Sequence, residues 1–215
     1  DAAGSQTQSY ASNGTITSNN IGTYAYTLAN SNGPQPYTVS TITIPTAPLD
    51  VLNYYNPRQQ NITYNVFKSP DSITELTKEN IDFEYNDQNE RSVMYYGDQS
   101  TSKSSRIMRK FYSADGSMEI KRNIANNVND FVTYIGGDGY TAPVILKSDG
   151  TTKGYFYLHR DYQGSILAIT NSSGVVVEKR LFDVWGSLIQ YANNSGGTSV
   201  PTTTTGLFID RGYTG

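Results

Sequence analysis

Short runs in which every second residue is apolar or aromatic constrain this chain most. Residues 62–66 read ITYNV and residues 81–85 read IDFEY. A side-chain period of two is that of a β-strand with one packed and one wetted face. The same alternation recurs in residues 24–28, 37–39, 42–44, 93–95, 118–120, 131–135, 144–146, 155–157, 167–169 and 175–177. The sequence therefore predicts many short strands.

Turn residues separate these runs. The turn pairs are Gly97-Asp98, Asp115-Gly116, Asp138-Gly139, Asp149-Gly150, Gln163-Gly164, Ser173-Gly174 and Trp185-Gly186. From Asp138 onward they come every 10 to 14 residues, which suits consecutive antiparallel hairpins. The best helical candidate is 71–80, where Ser72 and Glu75 have the spacing of a capping box. The predicted fold class is all-β.

Composition excludes several classes of function. The chain has 215 residues, 18 of them Tyr and none Cys, so disulfides and cysteine metal sites are excluded. The net charge is −3, and the only basic cluster is scattered over residues 103–110, so nucleic acid is not expected as a partner. No apolar stretch approaches the roughly 20 residues of a membrane span, so no span is expected.

Three stretches follow from this pattern. Residues 1–20 have almost no large apolar side chains, which predicts a weakly ordered arm. Hairpins are expected in 21–150, and a further strand-rich segment in 151–215, where the low-complexity residues 192–206 form a loop. The chain begins at Asp1 without Met and ends within a strand–turn pattern, so we expect a piece of a longer protein.

Two elements are similar to YD repeats, in which a Tyr precedes an Asp–Gly turn and a basic residue follows. Residues 83–87 read FEYND and lead to Arg91, and residues 111–117 read FYSADGS. These two elements lie in series within one hairpin-rich region. The resemblance makes residues 21–150 a run of YD-repeat β-hairpins.

Four further elements together resemble the Rhs repeat-associated core region. In order they are residues 157–166 (YLHRDYQGSI), 168–176 (AITNSSGVV), 182–186 (FDVWG) and 211–215 (RGYTG). Arg160, Tyr162 and Trp185 depart from the residues common in that family, but they only change side chains on a strand face. Residues 151–215 are thereby identified as a core segment that is truncated at its C-terminal end.

The Rhs resemblance implies antiparallel hairpins that form part of a β-ribbon wound into a hollow shell, the Rhs cocoon. Family members include polymorphic toxins, the C component of insecticidal Tc toxins and animal teneurins. In bacterial members the shell encloses a C-terminal cargo domain that follows a self-cleavage element. Neither of those parts lies within residues 1–215, so no proteolytic or toxic activity is assigned to this chain.

Residues that could carry chemistry have simpler structural interpretations. His159 is the only histidine, so a Ser–His–acid triad would need it and a zinc site with several histidines is excluded. We expect His159 to be hydrogen-bonded within the shell wall. Glycoside hydrolysis needs a pair of carboxylates, and two of Asp138, Asp149 and Asp161 could supply that pair. Turn aspartates, however, usually accept local hydrogen bonds. Residues 136–139 (GGDG) lack the Lys and helix of a phosphate loop.

The remaining patterns concern surfaces. Tyrosines on strands are expected to pack across the sheet rather than bind sugars or bases, and some could line the lumen of the shell. Asn13, Asn61, Asn171 and Asn193 begin N-glycosylation patterns, several of which arise by chance in an Asn-rich chain. Residues 71–73 (DSI) resemble an O-glycosylation signal of exported Bacteroidetes proteins. No catalytic, cofactor-binding or metal-binding residue and no cofactor is predicted.

Two functions from different classes fit these observations, and an enzyme is disfavoured. The first is a structural, non-catalytic segment of the shell wall of a secreted or surface-located bacterial Rhs-type protein. Its partners would be the rest of the shell and the toxin-like cargo domain. The alternative is an adhesin or motility-associated protein of the same family, which binds glycans or stays bound to the secretion translocon.

Overall fold

Antiparallel strands make up almost all of the regular structure of this chain. The computed structural model describes residues 7–19, 22–26, 29–30, 33–34, 37–43, 59–75, 78–182, 186, 188–193 and 207–213. Within these ranges the helical structure is a single 3-10 turn at Lys103–Ser105. The all-β, antiparallel prediction is confirmed.

The chain divides into two compact units, residues 1–109 and residues 110–215. The strands of unit 1 are β1 (Ser9–Tyr10), β2 (Ile16–Ser18), β3 (Thr23–Ala25), β4 (Ala29–Asn30), β5 (Gly33–Pro34), β6 (Thr41–Thr43), β7 (Gln59–Tyr64), β8 (Pro70–Glu75), β9 (Glu79–Tyr85) and β10 (Arg91–Tyr96). They pair in chain order, except that β6 pairs with β3 and the short β4–β5 hairpin stands apart.

Unit 2 is a meander whose strands also pair in chain order. Its strands are β11 (Met108–Tyr112, which starts at the end of unit 1), β12 (Met118–Asn123), β13 (Val128–Ile135), β14 (Val144–Ser148), β15 (Lys153–Arg160), β16 (Ile166–Asn171), β17 (Val176–Phe182) and β18 (Leu188–Asn193). The division after Arg109 lies inside the stretch 21–150 that the sequence treats as one run of hairpins.

The register of β13, β14 and β15 defines two faces of the unit 2 sheet. Tyr134, Ile145 and Phe156 lie opposite one another on what we call the core face. Leu146 and Tyr155 lie opposite each other on what we call the open face, where Tyr155 is 53% exposed. The buried cluster of unit 2 consists of Val132, Tyr134, Ala142, Ile145, Leu158, Ile166, Ile169 and Ile209.

The apolar alternation marks most of the strands, although residues 37–39 lie outside them, and in β13 and β14 it does not mark the buried face. In 131–135 the alternating residues begin at Phe131, whereas the deeply buried ones are Val132 and Tyr134 between them. Ile145, between the alternating residues of 144–146, is fully buried. Full burial of such an Ile contributes about 1.5–3 kcal/mol, so the core face holds much of the stability of unit 2.

The predicted turns lie between strands, apart from Trp185, which is outside the described residues. Gly116, Gly150, Gly164 and Gly174 have positive φ angles, which an L-amino acid adopts only at a cost. A recurrent device precedes the positive φ: the Oδ1 atom of Asn171 accepts the backbone N–H groups of residues 173 and 175. Equivalent pairs of bonds are accepted by Asn65, Asn86 and Asp161.

The helix considered for 71–80 is wrong, because this segment forms β8 and the start of β9. Ile73 of β8 lies opposite both Ile62 and Ile81 in the two flanking ladders. Two cross-strand pairs outweigh a single local capping box. Val66, which the alternation extends from β7, lies in a turn and is 64% exposed.

Two further predictions concern the termini of the hairpin array. Within the predicted arm 1–20, the described residues 7–19 include the antiparallel pair β1–β2. The predicted loop 192–206 begins inside β18, which ends at Asn193. Residues 194–206 lie outside the described part of the chain, as do Leu28 and Ile44.

Candidate functional site

Residues Leu207–Tyr213, which we call the strap, lie on the core face of unit 2 without joining its ladder. Ile209 of the strap is 4% exposed and belongs to the buried cluster. The ring of Phe208 meets the ring of Phe156 edge to face at 4.6 Å between centroids, a favourable aromatic geometry. These contacts anchor the strap to β15.

Two adjacent side chains on one face of β17 hold the backbone of the strap. Glu178 and Arg180 form an ion pair in which both side chains are only 1% exposed. Arg180 donates hydrogen bonds to the carbonyl oxygens of Ile209, at 2.7 Å, and of Arg211. The Oε2 atom of Glu178 accepts the N–H of Phe208 at 2.7 Å. A buried ion pair is stable only when hydrogen bonds satisfy its remaining N–H groups and oxygen lone pairs. The strap provides these hydrogen bonds.

A backbone bond joins the strap to a third strand. The N–H of Ile166, at the start of β16, donates to the carbonyl oxygen of Gly212 at 2.9 Å. Gly212 allows this approach because a Cβ atom there would lie 3.0 Å from the ring of Phe182. The ring of Tyr213 packs against that of Phe182 at 5.8 Å.

A second charged group lies at the β11–β12 end of the strap. Asp210 lies between Lys110, at 3.3 Å, and Lys121, at 3.1 Å, and Lys110 also pairs with Glu119 at 2.8 Å. Burial by itself would raise the pKa of Asp210, but the two lysines hold it below its usual range. Burial would also lower the pKa of Lys110, and Glu119 and Asp210 raise it instead. Asp210 and Lys110 are therefore kept charged.

Arg211 completes this group. Its guanidinium binds Glu119, with Nε–Oε1 at 2.7 Å, and lies over the ring of Tyr140 at 4.4 Å. Gly139 leaves room for this guanidinium, because a Cβ atom at position 139 would be 2.3 Å from it and the Arg211 side chain would have to shift. Burial raises the pKa of the neighbouring Tyr134, so this phenol stays protonated.

The strap therefore contacts strands that lie far apart along the chain. Its partners are on β11, β12, β15, β16 and β17, and the contacts are ion pairs, an aromatic pair and hydrogen bonds. A polar cavity of about 30 Å³ lies between the strap and β11–β13 and has room for about two waters. The non-covalent contacts of the strap therefore hold separate strands of the sheet together.

Solved structures with a similar fold include those of TcdB2-TccC3. In the structure of TcdB2-TccC3 without its hypervariable C-terminal region, the match has a TM-score of 0.52 and 16% identity, and covers 87% of this chain and 10% of that chain. For TcdB2-TccC3-TEV the TM-score is 0.50 with 14% identity over 87% of this chain and 12% of that chain. No family model and no curated protein sequence matches the chain.

The β-sheet fold is Rhs-like. Because the sequence identities are only 14% and 16%, this similarity concerns the fold alone. The chain spans about one-tenth of the length of the structures it matches. In the Rhs-like sheet, the motif that begins at Arg211 supplies the last three residues of the strap, whereas Thr214 and Gly215 are outside the described residues.

The sequence-predicted candidates for chemistry have local partners in this Rhs-like sheet. His159 lies on β15, and its Nε2 atom is 3.0 Å from the Oγ1 atom of Thr170 on β16. It is an exposed cross-strand contact, as the structural interpretation expects. The tautomer of the ring decides which atom donates.

The three turn aspartates accept hydrogen bonds from their own turns. Asp138 binds the N–H groups of Tyr140 and Thr141, Asp149 those of residues 151 and 152, and Asp161 those of residues 163 and 165. Hydrogen bonds from Thr141 lower the pKa of Asp138, and bonds from backbone N–H groups lower that of Asp149. These carboxylates therefore stabilise their own turns as hydrogen-bond acceptors.

The other candidates are also accounted for locally. Residues 136–139 lie in the connection from β13 to β14, and Gly136 has a positive φ.

The residues of the glycosylation patterns also have local contacts. Asn13 accepts hydrogen bonds from the N–H and hydroxyl of Thr15 in an exposed turn, and Asn61 lies within β7. Asn171 holds the β16–β17 turn, and Ser72 of the DSI pattern is 2.8 Å from the hydroxyl of Thr63. The side chain of Asn193 is outside the described part.

The basic residues of 103–110 that lie in unit 1 also have partners inside that unit. Arg106, which is 2% exposed, pairs with Asp82, and Lys103 pairs with Glu84 at 2.6 Å. Arg109 donates to the carbonyl oxygen of Ser104 at 2.7 Å. These cations are therefore used for contacts between β9, β10 and the 3-10 turn.

Sequence reasoning singles out residues 211–215 but misses the side chains that hold the strap. The signal that could have found them is charge repeated at alternate strand positions. Glu119 and Lys121 are two apart on β12, and Glu178 and Arg180 are two apart on β17. In a chain with only 16% charged residues, such pairs leave a strand face charged that is otherwise expected to be apolar.

Proposed function

We propose that this chain is a structural, non-catalytic segment of the wall of an Rhs-type shell, which encloses a C-terminal cargo domain. The observation that carries the proposal is the strap, whose charges and hydrogen bonds tie separate strands of one sheet together. The Rhs-like fold supports it, since one matching structure is described as lacking a hypervariable C-terminal region. The mechanism is steric: paired strands form a barrier to other macromolecules.

The partners follow from the same proposal. They are the remaining strands of the shell and the cargo domain. Among the described strands of unit 2, β18 pairs only with β17. We propose that a further strand of the parent protein pairs with the second edge of β18, which would also protect that edge from aggregation. The parent is proposed to be secreted or located at the cell surface. Across the described residues, no helix has the length and apolarity to cross a membrane.

Mass analysis of the natural parent protein tests this function. The expected result is a C-terminal fragment that is cleaved from the shell but co-purifies with it without a covalent bond. The fragment should resist added protease while the wall is intact. In a parent carrying Arg180→Met, which removes the donor to two strap carbonyls, the fragment should become protease-sensitive.

The matched control is Arg122→Met, which removes an exposed arginine from β12 of the same unit. It should leave the fragment protected. A parent protein without a cleaved, co-purifying C-terminal fragment would contradict the container function. Equal protection in the Arg180→Met and Arg122→Met parents would contradict the role of the strap in the wall.

A surface adhesin that binds glycans is the second candidate, and one observation favours it. Tyr155 and Tyr157 project from the same face of β15 and are 53% and 43% exposed. Exposed aromatic rings two residues apart could stack on sugar rings. Binding of the chain to a glycan array, lost in Tyr155→Ala/Tyr157→Ala but kept in Tyr162→Ala, would support this function. No binding, or equal binding by all three proteins, would exclude it.

A further inference from the structure

We propose that the strap undocks from the core face as one unit, in an opening step that leaves the unit 2 ladder intact. The strap is thus a latch that is held by charge, by hydrogen bonds and by the apolar contacts of Phe208 and Ile209, and that can open without unfolding of the sheet. The first argument is its place in the fold. Leu207–Tyr213 has no strand of its own, whereas every strand from β12 to β18 is held by antiparallel pairing with its neighbours.

The second argument is that the bonds of the strap depend on one another. Phe208 donates to Glu178, and Arg180 donates to the carbonyl oxygens of Ile209 and Arg211. Glu178 and Arg180 are paired, so release of Phe208 leaves Glu178 without its strap donor, and release of Ile209 or Arg211 leaves Arg180 without one of its strap acceptors, inside a buried ion pair. A partly released strap keeps the burial of the charges but loses bonds that satisfy them, which disfavours intermediate states.

The third argument is the composition of the interface. Asp210 and Arg211 are neighbours of opposite sign, and the sheet offers them the opposite charges, Lys110 with Lys121 and Glu119. When the strap undocks, water can solvate these charged groups. The side chains of an apolar interface would gain no such favourable solvation. Opening of the strap therefore costs less free energy than it would if the same interface were entirely apolar.

Opening of the strap would uncover the core face at Ile145, Ile166 and Ile169, which are fully buried when it is docked. In a shell wall, such opening would soften the wall locally without breaking the ribbon. This use depends on the proposed function, whereas the opening itself does not.

Residue-resolved hydrogen exchange of the full 215-residue chain tests the latch. Two amides report on docking from opposite sides: the N–H of Phe208, bonded to Glu178, and the N–H of Ile166, bonded to Gly212. They should have opening constants within about threefold of each other, with little dependence on urea. The N–H of Leu158, which donates to the carbonyl oxygen of Pro143, reports on the sheet and should be more protected than both.

The variant Asp210→Asn removes the charge that the two lysines bind. It should raise the opening constants of Phe208 and Ile166 together, by roughly 100-fold. The matched control is Asp115→Asn, at an exposed turn of the same unit that bonds to Ser117. Because that turn is the same in the docked and undocked states, it should change neither constant by more than about twofold.

Exchange of Ile166 together with Leu158 would overturn the latch, since the strap would then open only when the sheet unfolds. Different opening constants for Phe208 and Ile166 would overturn its release as one unit. If Asp210→Asn does not fold, the wild-type amides and their urea dependence still decide the question. The exchange experiment needs neither parent nor cargo, so a latch that opens in a protein without cargo would leave this inference standing while the shell function failed.

Discussion

Individual charged residues have an unusually large effect in unit 2 because they bind the strap rather than solvent. Glu178 and Arg180 are each 1% exposed, and their bonds reach three residues of the strap. Removal of one partner from such a pair leaves the other charge buried without compensation. Stability should therefore be sensitive to single substitutions at these positions.

Arg180→Met should lower the free energy of unfolding by about 3–5 kcal/mol. Arg180→Lys should not restore it, because one ammonium cannot match the planar fork that binds Glu178 and two carbonyls. Urea denaturation measures both. Arg122→Met, on the exposed part of β12, should change the value by less than about 0.5 kcal/mol. A lysine variant as stable as the wild type would contradict this interpretation.

Asp210 and Lys110 set the pH range in which the strap contributes stability. The pKa of Asp210 is lowered in the folded protein, so its contribution is present above about pH 4, the unfolded value, and is lost as the pH falls through the folded pKa. The pKa of Lys110 is raised, so its contribution is present below about pH 10 and is lost as the pH rises through the folded pKa.

The measurement is the free energy of unfolding of wild type and Asp210→Asn between pH 2 and 11. The difference between them should be constant in the middle of the range and should shrink below about pH 4, because protonated Asp210 no longer binds Lys110 and Lys121 as an ion pair. A difference that is the same at pH 2 and pH 7 would show that the charge of Asp210 is not what holds the strap.

At the scale of elements, the hairpins share one turn device in both units. An Asn or Asp side chain accepts the backbone N–H groups two and four residues ahead, as Asn86 does in unit 1 and Asn171 in unit 2. The residue three positions on has a positive φ, as Asn89 and Gly174 show. This device closes a hairpin through local bonds alone.

Asn171→Ala should lower the free energy of unfolding by about 0.5–1.5 kcal/mol, because the N–H groups of Ser173 and Val175 lose their acceptor. Asn171→Asp should retain most of the stability, since a carboxylate oxygen can accept the same bonds. The neighbouring exposed Ser172→Ala is the matched control and should be nearly neutral. Thermal or urea unfolding of the three variants makes the comparison, and an Asp variant as damaged as the Ala variant would count against the turn device.

At the scale of the whole molecule, the two units differ in how much apolar core they bury. Among the described residues, nine buried hydrophobic side chains belong to unit 2 and one, Phe83, belongs to unit 1. In unit 1, a hydrogen bond from the side-chain amide of Asn65 to that of Asn89 links successive turns. Since apolar burial provides most of the driving force for folding, unit 2 should be the more stable unit.

Limited proteolysis in increasing urea tests this difference. Unit 1 should be cut first, and a resistant fragment close to residues 110–215 should persist. The same digestion of Arg180→Met should shorten the lifetime of that fragment and leave the first cuts unchanged. Loss of both units in one step at one urea concentration would contradict a difference in stability.

The sequence by itself determined the class of the fold and the positions of most strands and turns. These features depend on local chemistry: the alternation in 81–85 marks β9, and Gly174 permits the positive φ that its turn requires. The helix considered for 71–80 failed because Ile73 has partners in two other strands, which no local pattern contains. The family motif likewise pointed to Arg211 without showing what the residue binds.

Tertiary contacts determine which sheet face is buried and what the C-terminal motif at residues 211–215 binds. Phe131 and Val132 are both apolar, so the pattern allows either face, and the strap covers only the face of Val132. Asp210 meets Lys110 across 100 residues of sequence, and Arg211 meets Glu119 across 92. Such pairings arise because folding brings distant strands under one segment. A buried charge is stable only when it is paired, and its partner can lie anywhere along the sequence.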